Sequence, residues 1–309
     1  MTKLAFVFPG QGSQQVGMLS DIAEHYPQIE ETFTEASDAL GYDMKSLVMN
    51  GPAEELNKTE KTQPALVTVS TALYRAWSSR MDVQPALFAG HSLGEYSALV
   101  ASGAISFADA VRVVELRGQL MQQAVPAGYG LMAAILGLTD EQVIEGCEKA
   151  SEGEVVSAVN FNTPGQVVIA GQKTAVERAI EILKEMGAKR AMPLSVSVPS
   201  HCALMEPAAE KLALEFEKIS FNTPSAPIVQ NRVAQGVLNV DELRKNLLEQ
   251  LYQPVLWTKS VEYIAAQGVS EIIECGPGKV LTGLNRRVAK ELTHTVLGDL
   301  ASFEKRTGA

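Results

Sequence analysis

Short apolar runs alternate along the chain with longer stretches in which apolar residues recur every three or four positions. Leu4 to Phe8 is wholly apolar, as expected of a strand covered on both faces. Ala86 to Ala89 and Ser270 to Cys275 are two more runs of strand length. Each of the three leads straight into a glycine-bearing turn: Pro9-Gly10-Gln11-Gly12, Gly90-His91-Ser92-Leu93-Gly94 and Gly276-Pro277-Gly278. Helical spacing covers Glu95 to Ala101, Phe107 to Ala124 and Ala203 to Phe216. The alternation predicts an α/β fold with a parallel sheet, whose sites collect at the carboxyl ends of the strands.

The middle of the chain has another rhythm. Leu131 to Leu136 reads as strand, Asp140 to Ala150 as helix, and Val155 to Phe161 and Gln166 to Ala170 as strands joined by the turn Asn162-Thr163-Pro164-Gly165. Thr174 to Met186 then reads as helix and Lys189 to Val196 as strand. That order, βαββαβ, is a ferredoxin-like unit. The expected organisation is a large α/β domain of residues 1–125 and 197–309, interrupted by a small domain of residues 126–196.

Composition narrows the function classes. The chain has 309 residues, 46% of them hydrophobic and 20% charged, which suits a globular protein with a substantial core. No run approaches the ~18 apolar residues of a membrane helix, and the N-terminus lacks the pattern of a secretory signal, so the expected location is the cytoplasm. A formal net charge of −10 disfavours nucleic acid or an anionic membrane as partner. Cys147, Cys202 and Cys275 have no metal-type spacing and are expected as buried thiols. With only four histidines, no metal site is expected.

Gly90-His91-Ser92-Leu93-Gly94 fits G-x-S-x-G, the turn that lifts a serine to the tip of a strand. The run before it supplies the strand, and Glu95 to Ala101 the helix whose first amides face the reacting carbonyl. Ser92 is therefore the candidate nucleophile, and Glu95 suits the helix dipole. His91 points away from such a turn and is expected to pack or bond locally. A serine needs a base. His25 lies in a polar helical stretch and His294 in a polar segment, whereas His201 follows the strand-like Val196-Ser197-Val198-Pro199-Ser200 and precedes a helix. His201 is the candidate base. Its orienting partner stays open: Glu206, Glu274 or a carbonyl oxygen would serve.

Arg117 falls in the apolar stripe of Val113, Leu120, Met121 and Ala124. A buried guanidinium needs an anionic or accepting partner. Either it pairs with a core carboxylate, or it grips a carboxylate on the substrate. Gly10-Gln11-Gly12-Ser13-Gln14-Gln15 begins like a dinucleotide loop, but Gln15 replaces the third glycine, and no P-loop is present. An oxyanion-directed amide from Gln11, paired with that of Leu93, is the better use of this loop.

Together these segments resemble the malonyl-CoA:acyl carrier protein transacylases of bacterial fatty acid synthesis. The resemblance is carried by Pro9-Gly10-Gln11-Gly12-Ser13-Gln14, Gln63-Pro64-Ala65, Gly90 to Glu95, Arg117-Gly118, Pro199-Ser200-His201, Gln250-Leu251-Tyr252 with Pro254-Val255 and Trp257, and Glu274 with Gly276-Pro277-Gly278. It runs in register from residue 3 to about 290. It implies an α/β-hydrolase-like body with a ferredoxin-like insertion and a ping-pong transfer of malonyl from coenzyme A to acyl carrier protein. It implies acyl-enzyme formation on Ser92, His201 as base, the amides of Gln11 and Leu93 as oxyanion hole, and Arg117 on the malonyl carboxylate. It alone supplies the carbonyl of Gln250 as the group orienting His201. No metal or redox cofactor is implied, and a monomer is expected.

A serine thioesterase would share the elbow but needs no buried arginine. A non-catalytic acyl-CoA or carrier-binding protein would not need both Ser92 and His201. Both substrates of the transfer are anionic, so Lys189-Arg190 and Arg286-Arg287 are candidates for a local basic docking patch.

Overall fold

The computed structural model describes residues 3–196 and 198–308. Ser197, where the large domain is expected to resume, lies outside the described residues, as do Met1, Thr2 and Ala309. The strands, in chain order, are β1 (Leu4–Phe8), β2 (Leu87–Gly90), β3 (Gly130–Leu136), β4 (Val156–Thr163), β5 (Gln166–Gln172), β6 (Arg190–Pro193), β7 (Ile228–Gln230), β8 (Gln235–Val237), β9 (Glu271–Cys275) and β10 (Thr293–Leu297).

They form two sheets. The larger has the order β10-β9-β1-β2-β7-β8, and only its last pair, β7 with β8, is antiparallel. Its middle strands are buried along their whole length; β1 and β2 accordingly read as apolar runs, while β9 also buries Glu271 and Glu274. Helices cover it on both sides. One core joins Phe6, Phe8 and Phe88 to the helices Pro27–Leu40, Thr59–Ser78 and Phe107–Ala124. The other joins Ala5, Val7 and Ile272 to Trp257 and Val261 of the helix Trp257–Ala266.

The smaller sheet is antiparallel, with the order β4-β5-β3-β6, and its chain order with the helices Asp140–Ser151 and Lys173–Glu185 is the expected βαββαβ. One face packs on those helices through Ala133, Ile135, Val167 and Ile169. The other gathers Met132, Val159, Val168 and Ala170 around Cys202 of the larger unit.

Three local expectations are corrected. The turn between β4 and β5 is only Pro164-Gly165, because two register shifts carry β4 through Asn162 and Thr163. The strand expected over Lys189 to Val196 is shortened to Arg190–Pro193, and Val198 to Ser200 are irregular rather than strand-like. Pro193 and Pro199 have no amide to give a ladder, and past one more bond, from the Leu194 amide to the Met132 carbonyl, the chain leaves the sheet. His25 sits in turns ahead of the helix Pro27–Leu40, not within a helix.

Candidate active site

β2 ends at Gly90, and the helix Gly94–Ala101 starts four residues later. Between them Ser92 takes φ 51°, a left-handed conformation that a side chain rarely adopts and that the tight turn imposes. The flanking glycines are obligatory. A Cβ on Gly90 would stand 1.8 Å from the Gly94 carbonyl carbon, and one on Gly94 would stand 2.1 Å from the Phe8 oxygen.

The turn brings the Ser92 hydroxyl 2.8 Å from His201 Nε2. His201 itself has φ 66° and is fixed by its amide, which donates to the Leu251 carbonyl at 2.9 Å. Its Nδ1 lies 2.6 Å from the main-chain oxygen of Gln250. A carbonyl only accepts, so the proton of a neutral ring sits on Nδ1 and Nε2 keeps its lone pair for Ser92. Of the other partners considered for this ring, Glu274 is engaged elsewhere, accepting from the amides of Leu281 and Thr282 at the start of the helix Val280–Val288.

Arg117, 1% exposed, does not pair with a core carboxylate. Its Nη1 donates to Gln63 Oε1 at 2.8 Å and its Nη2 to Gln250 Oε1 at 3.1 Å, both neutral acceptors. The Tyr96 ring centroid is 5.7 Å from its guanidinium carbon. Its Nε is buried with no partner among the described residues. Arg117, Ser92, His201, Gln11 and Leu93 all line one cavity of about 130 Å³, together with Met132 and Asn160 of the small sheet and Leu194 just beyond it. Leu93 precedes the helix Gly94–Ala101, whose first three amides are taken by the carbonyls of His91, Ser92 and Leu93.

The sequence pattern described as an acyl transferase domain matches residues 5–301. The chain belongs to the acyl transferase family. It is 63% identical over 299 residues to the malonyl CoA-acyl carrier protein transacylase of Escherichia coli K12, with 97% of each chain covered. It also superposes on an acyl carrier protein S-malonyltransferase from Vibrio cholerae, with a TM-score of 0.97, 56% identity, and 99% and 100% of the two chains covered. A malonyl-transacylase solved with its type II polyketide acyl-carrier protein gives a TM-score of 0.98 at 53% identity, with 99% of each chain covered.

Burial governs the electrostatics of this acyl transferase. Desolvation pushes His201 down to about 3, the Arg117 charge adding to it and the Gln250 carbonyl opposing, so the ring is neutral in ordinary buffers. Desolvation pushes Glu95 up to about 8, against the Asn231 amide, the Gln250 amide and Arg117. Tyr96 is pushed up to about 12, again by burial.

Sequence reasoning missed four residues of this acyl transferase site. Gln63 holds Arg117, although its segment had been singled out only as a motif. Asn231 accepts from the Ser92 amide at 2.7 Å and donates to the Gly90 oxygen at 2.6 Å. Asn162 bonds His91 Nε2 at 2.8 Å, so His91, tilted against the Trp257 ring, ties the elbow to the small sheet. Glu95 is buried rather than solvated at the helix end. Gln63 and Glu95 lie inside motifs of the sequence, but the role of none of the four could be read there, because each acts through partners far along the chain. Among the described residues no His, Cys, Asp or Glu cluster could hold a metal ion, and no helix is long and apolar enough to cross a membrane.

Proposed function

We propose that this protein moves a malonyl group from coenzyme A to the phosphopantetheine thiol of acyl carrier protein, through an ester on Ser92, in cytoplasmic fatty acid biosynthesis. The observation that carries the reading is a Ser92–His201 pair, 2.8 Å apart with the histidine buried, sharing its cavity with an arginine that has an unpaired donor. The names of the relatives above agree with it.

Ser92 Oγ attacks the thioester carbon while its proton passes to His201 Nε2. The Nδ1–H bond to Gln250 stabilises the imidazolium that forms. The amides of Gln11 and Leu93 take the developing oxyanion. Collapse breaks the carbon–sulfur bond, and the departing coenzyme A thiolate recovers the proton from His201. The carrier thiol then gives its proton to His201 and attacks the ester, and Ser92 leaves with that proton. Arg117 binds the free malonyl carboxylate through its Nε and remaining N–H groups, which favours malonyl over acetyl. No step calls for a metal or redox cofactor. Residues 126–196 serve as a small domain roofing the cavity, and residues 1–125 with 197–309 as the catalytic body, a division supported by their separate cores.

Intact-protein mass spectrometry after exposure to malonyl-CoA tests this. One malonyl per chain is expected, and Ser92→Ala should carry none. Steady release of free malonate with no transfer to acyl carrier protein would instead make the enzyme a hydrolase.

A further inference from the structure

Glu95 stands three residues after the serine, in the first turn of the helix Gly94–Ala101, and is 1% exposed. Other first-turn carboxylates, such as Glu30, which pairs with Lys45, and Glu141, lie in solvent. Glu95 Oε1 accepts from the Asn231 amide, and Oε2 accepts from Gln250 Nε2 at 2.8 Å. Gln250 Nε2 also donates to the Ser92 carbonyl at 3.0 Å. The same residue accepts Arg117 through Oε1 and His201 through its main-chain oxygen. An arginine only donates, and an ionised carboxylate, which Glu95 is above about 8, only accepts. The Gln250 amide therefore has one orientation, with its NH2 toward Glu95 and its oxygen toward Arg117. The transfer scheme above makes no use of Glu95.

We propose that Glu95 is a positioning residue: its carboxylate sets the polarity of the Gln250 amide, which in turn aims Arg117 at the acyl carboxylate while the Gln250 carbonyl holds His201. The inference rests on the assignment of Arg117 to the acyl carboxylate. Glu95→Gln exposes the device. The new side chain still accepts from Asn231 but turns an NH2 toward Gln250 Nε2. Either donor then meets donor, or the Gln250 amide inverts and points its own NH2 at Arg117. Both outcomes disturb the arginine and leave the main-chain bond to His201 in place.

Rates of Ser92 labelling by malonyl-CoA and acetyl-CoA, read by mass spectrometry above pH 8, test the proposal. Glu95→Gln should lower the malonyl-to-acetyl ratio about tenfold, the scale of one hydrogen bond to a charged group. Glu95→Asp, which keeps the acceptor, should restore part of it. Gln250→Met removes the amide but keeps the carbonyl, so it should give the same bias. Adding Glu95→Gln to it should then change the ratio no further. Should Glu95→Gln fail to fold, Gln250→Met alone decides. Equal loss of both rates in Glu95→Gln, or an unchanged ratio in Gln250→Met, overturns the proposal. An unlabelled wild-type protein would instead remove the functional reading on which it rests.

Discussion

Burial denies His201 its proton over the range in which a solvated histidine titrates, the ring being pushed down to about 3. A base that is already neutral needs no high pH to work. Acylation by acetyl-CoA, which lacks the charged end, is expected to stay within about twofold between pH 7 and pH 5. An acid limb near the ordinary histidine value of about 6.5 would contradict this. The same depression costs stability in acid. The unfolded ring gains a proton near ~6.5 and the folded ring does not, so this contribution is complete above that pH. It is lost as the pH falls from there toward about 3. Arg117 presents the opposite case, a charge that cannot be given up. Arg117→Ala should cut malonyl labelling about a hundredfold, as expected for a lost bidentate ion pair, and leave or improve labelling by uncharged acyl groups. Equal loss of both would remove the arginine from substrate selection.

The helix Phe107–Ala124 sets where that arginine lies, and its neighbour in space is the helix Thr59–Ser78. Their approach depends on Gly118, where a Cβ would stand 2.6 Å from Glu60 Cα. Backbone cannot yield as a side chain does. Gly118→Ala should therefore push the helices apart at a cost of about 1–3 kcal/mol, typical of overpacking. It would also draw Arg117 from Gln63, which rides on the same helix as Glu60. A lower urea midpoint together with slower malonyl labelling is the expected result. An unchanged midpoint would mean that the pair adjusts by sliding. The elbow obeys the same logic, because two bare glycines let one turn pass between strand and helix.

Across the whole molecule, the two sheets meet over the cavity, and the small one contributes its roof. Their junction also opens a larger groove of about 990 Å³, lined by Lys189, Lys259 and Arg287 but also by Asp140, Glu141 and Glu262. Arg287 donates to Gln166 Oε1 at 3.1 Å and so ties the two basic pairs, distant in sequence, to one region. The groove lining is balanced, which leaves the exposed Arg190 and Arg286, next in sequence to Lys189 and Arg287, to attract an acidic partner on a chain of net charge −10. Reversing both charges should raise the KM for acyl carrier protein several-fold, as rim charges do, with Ser92 acylation unchanged. A constant KM would move docking to another face.

The chemistry of the elbow was legible because it is local. Strand, glycine, serine, glycine and helix follow one another, and sterics alone dictate those types at that spacing. The parallel core strands and the βαββαβ unit were legible for the same reason, since burial on both faces and helical periodicity are properties of a few consecutive residues. His201 could be chosen over three other histidines, but its orienting partner could not be read from the residues themselves, because a main-chain oxygen has no sequence signal. The partners of Gln63, Glu95, Asn162 and Asn231 were invisible in the same way. Each of the four is a polar residue whose role exists only once segments 54 to 155 positions apart are folded together. Local sequence thus determined which groups could react. Only the tertiary structure decided which partners hold them, because hydrogen bonds in a buried site join residues by distance in space and not by order along the chain.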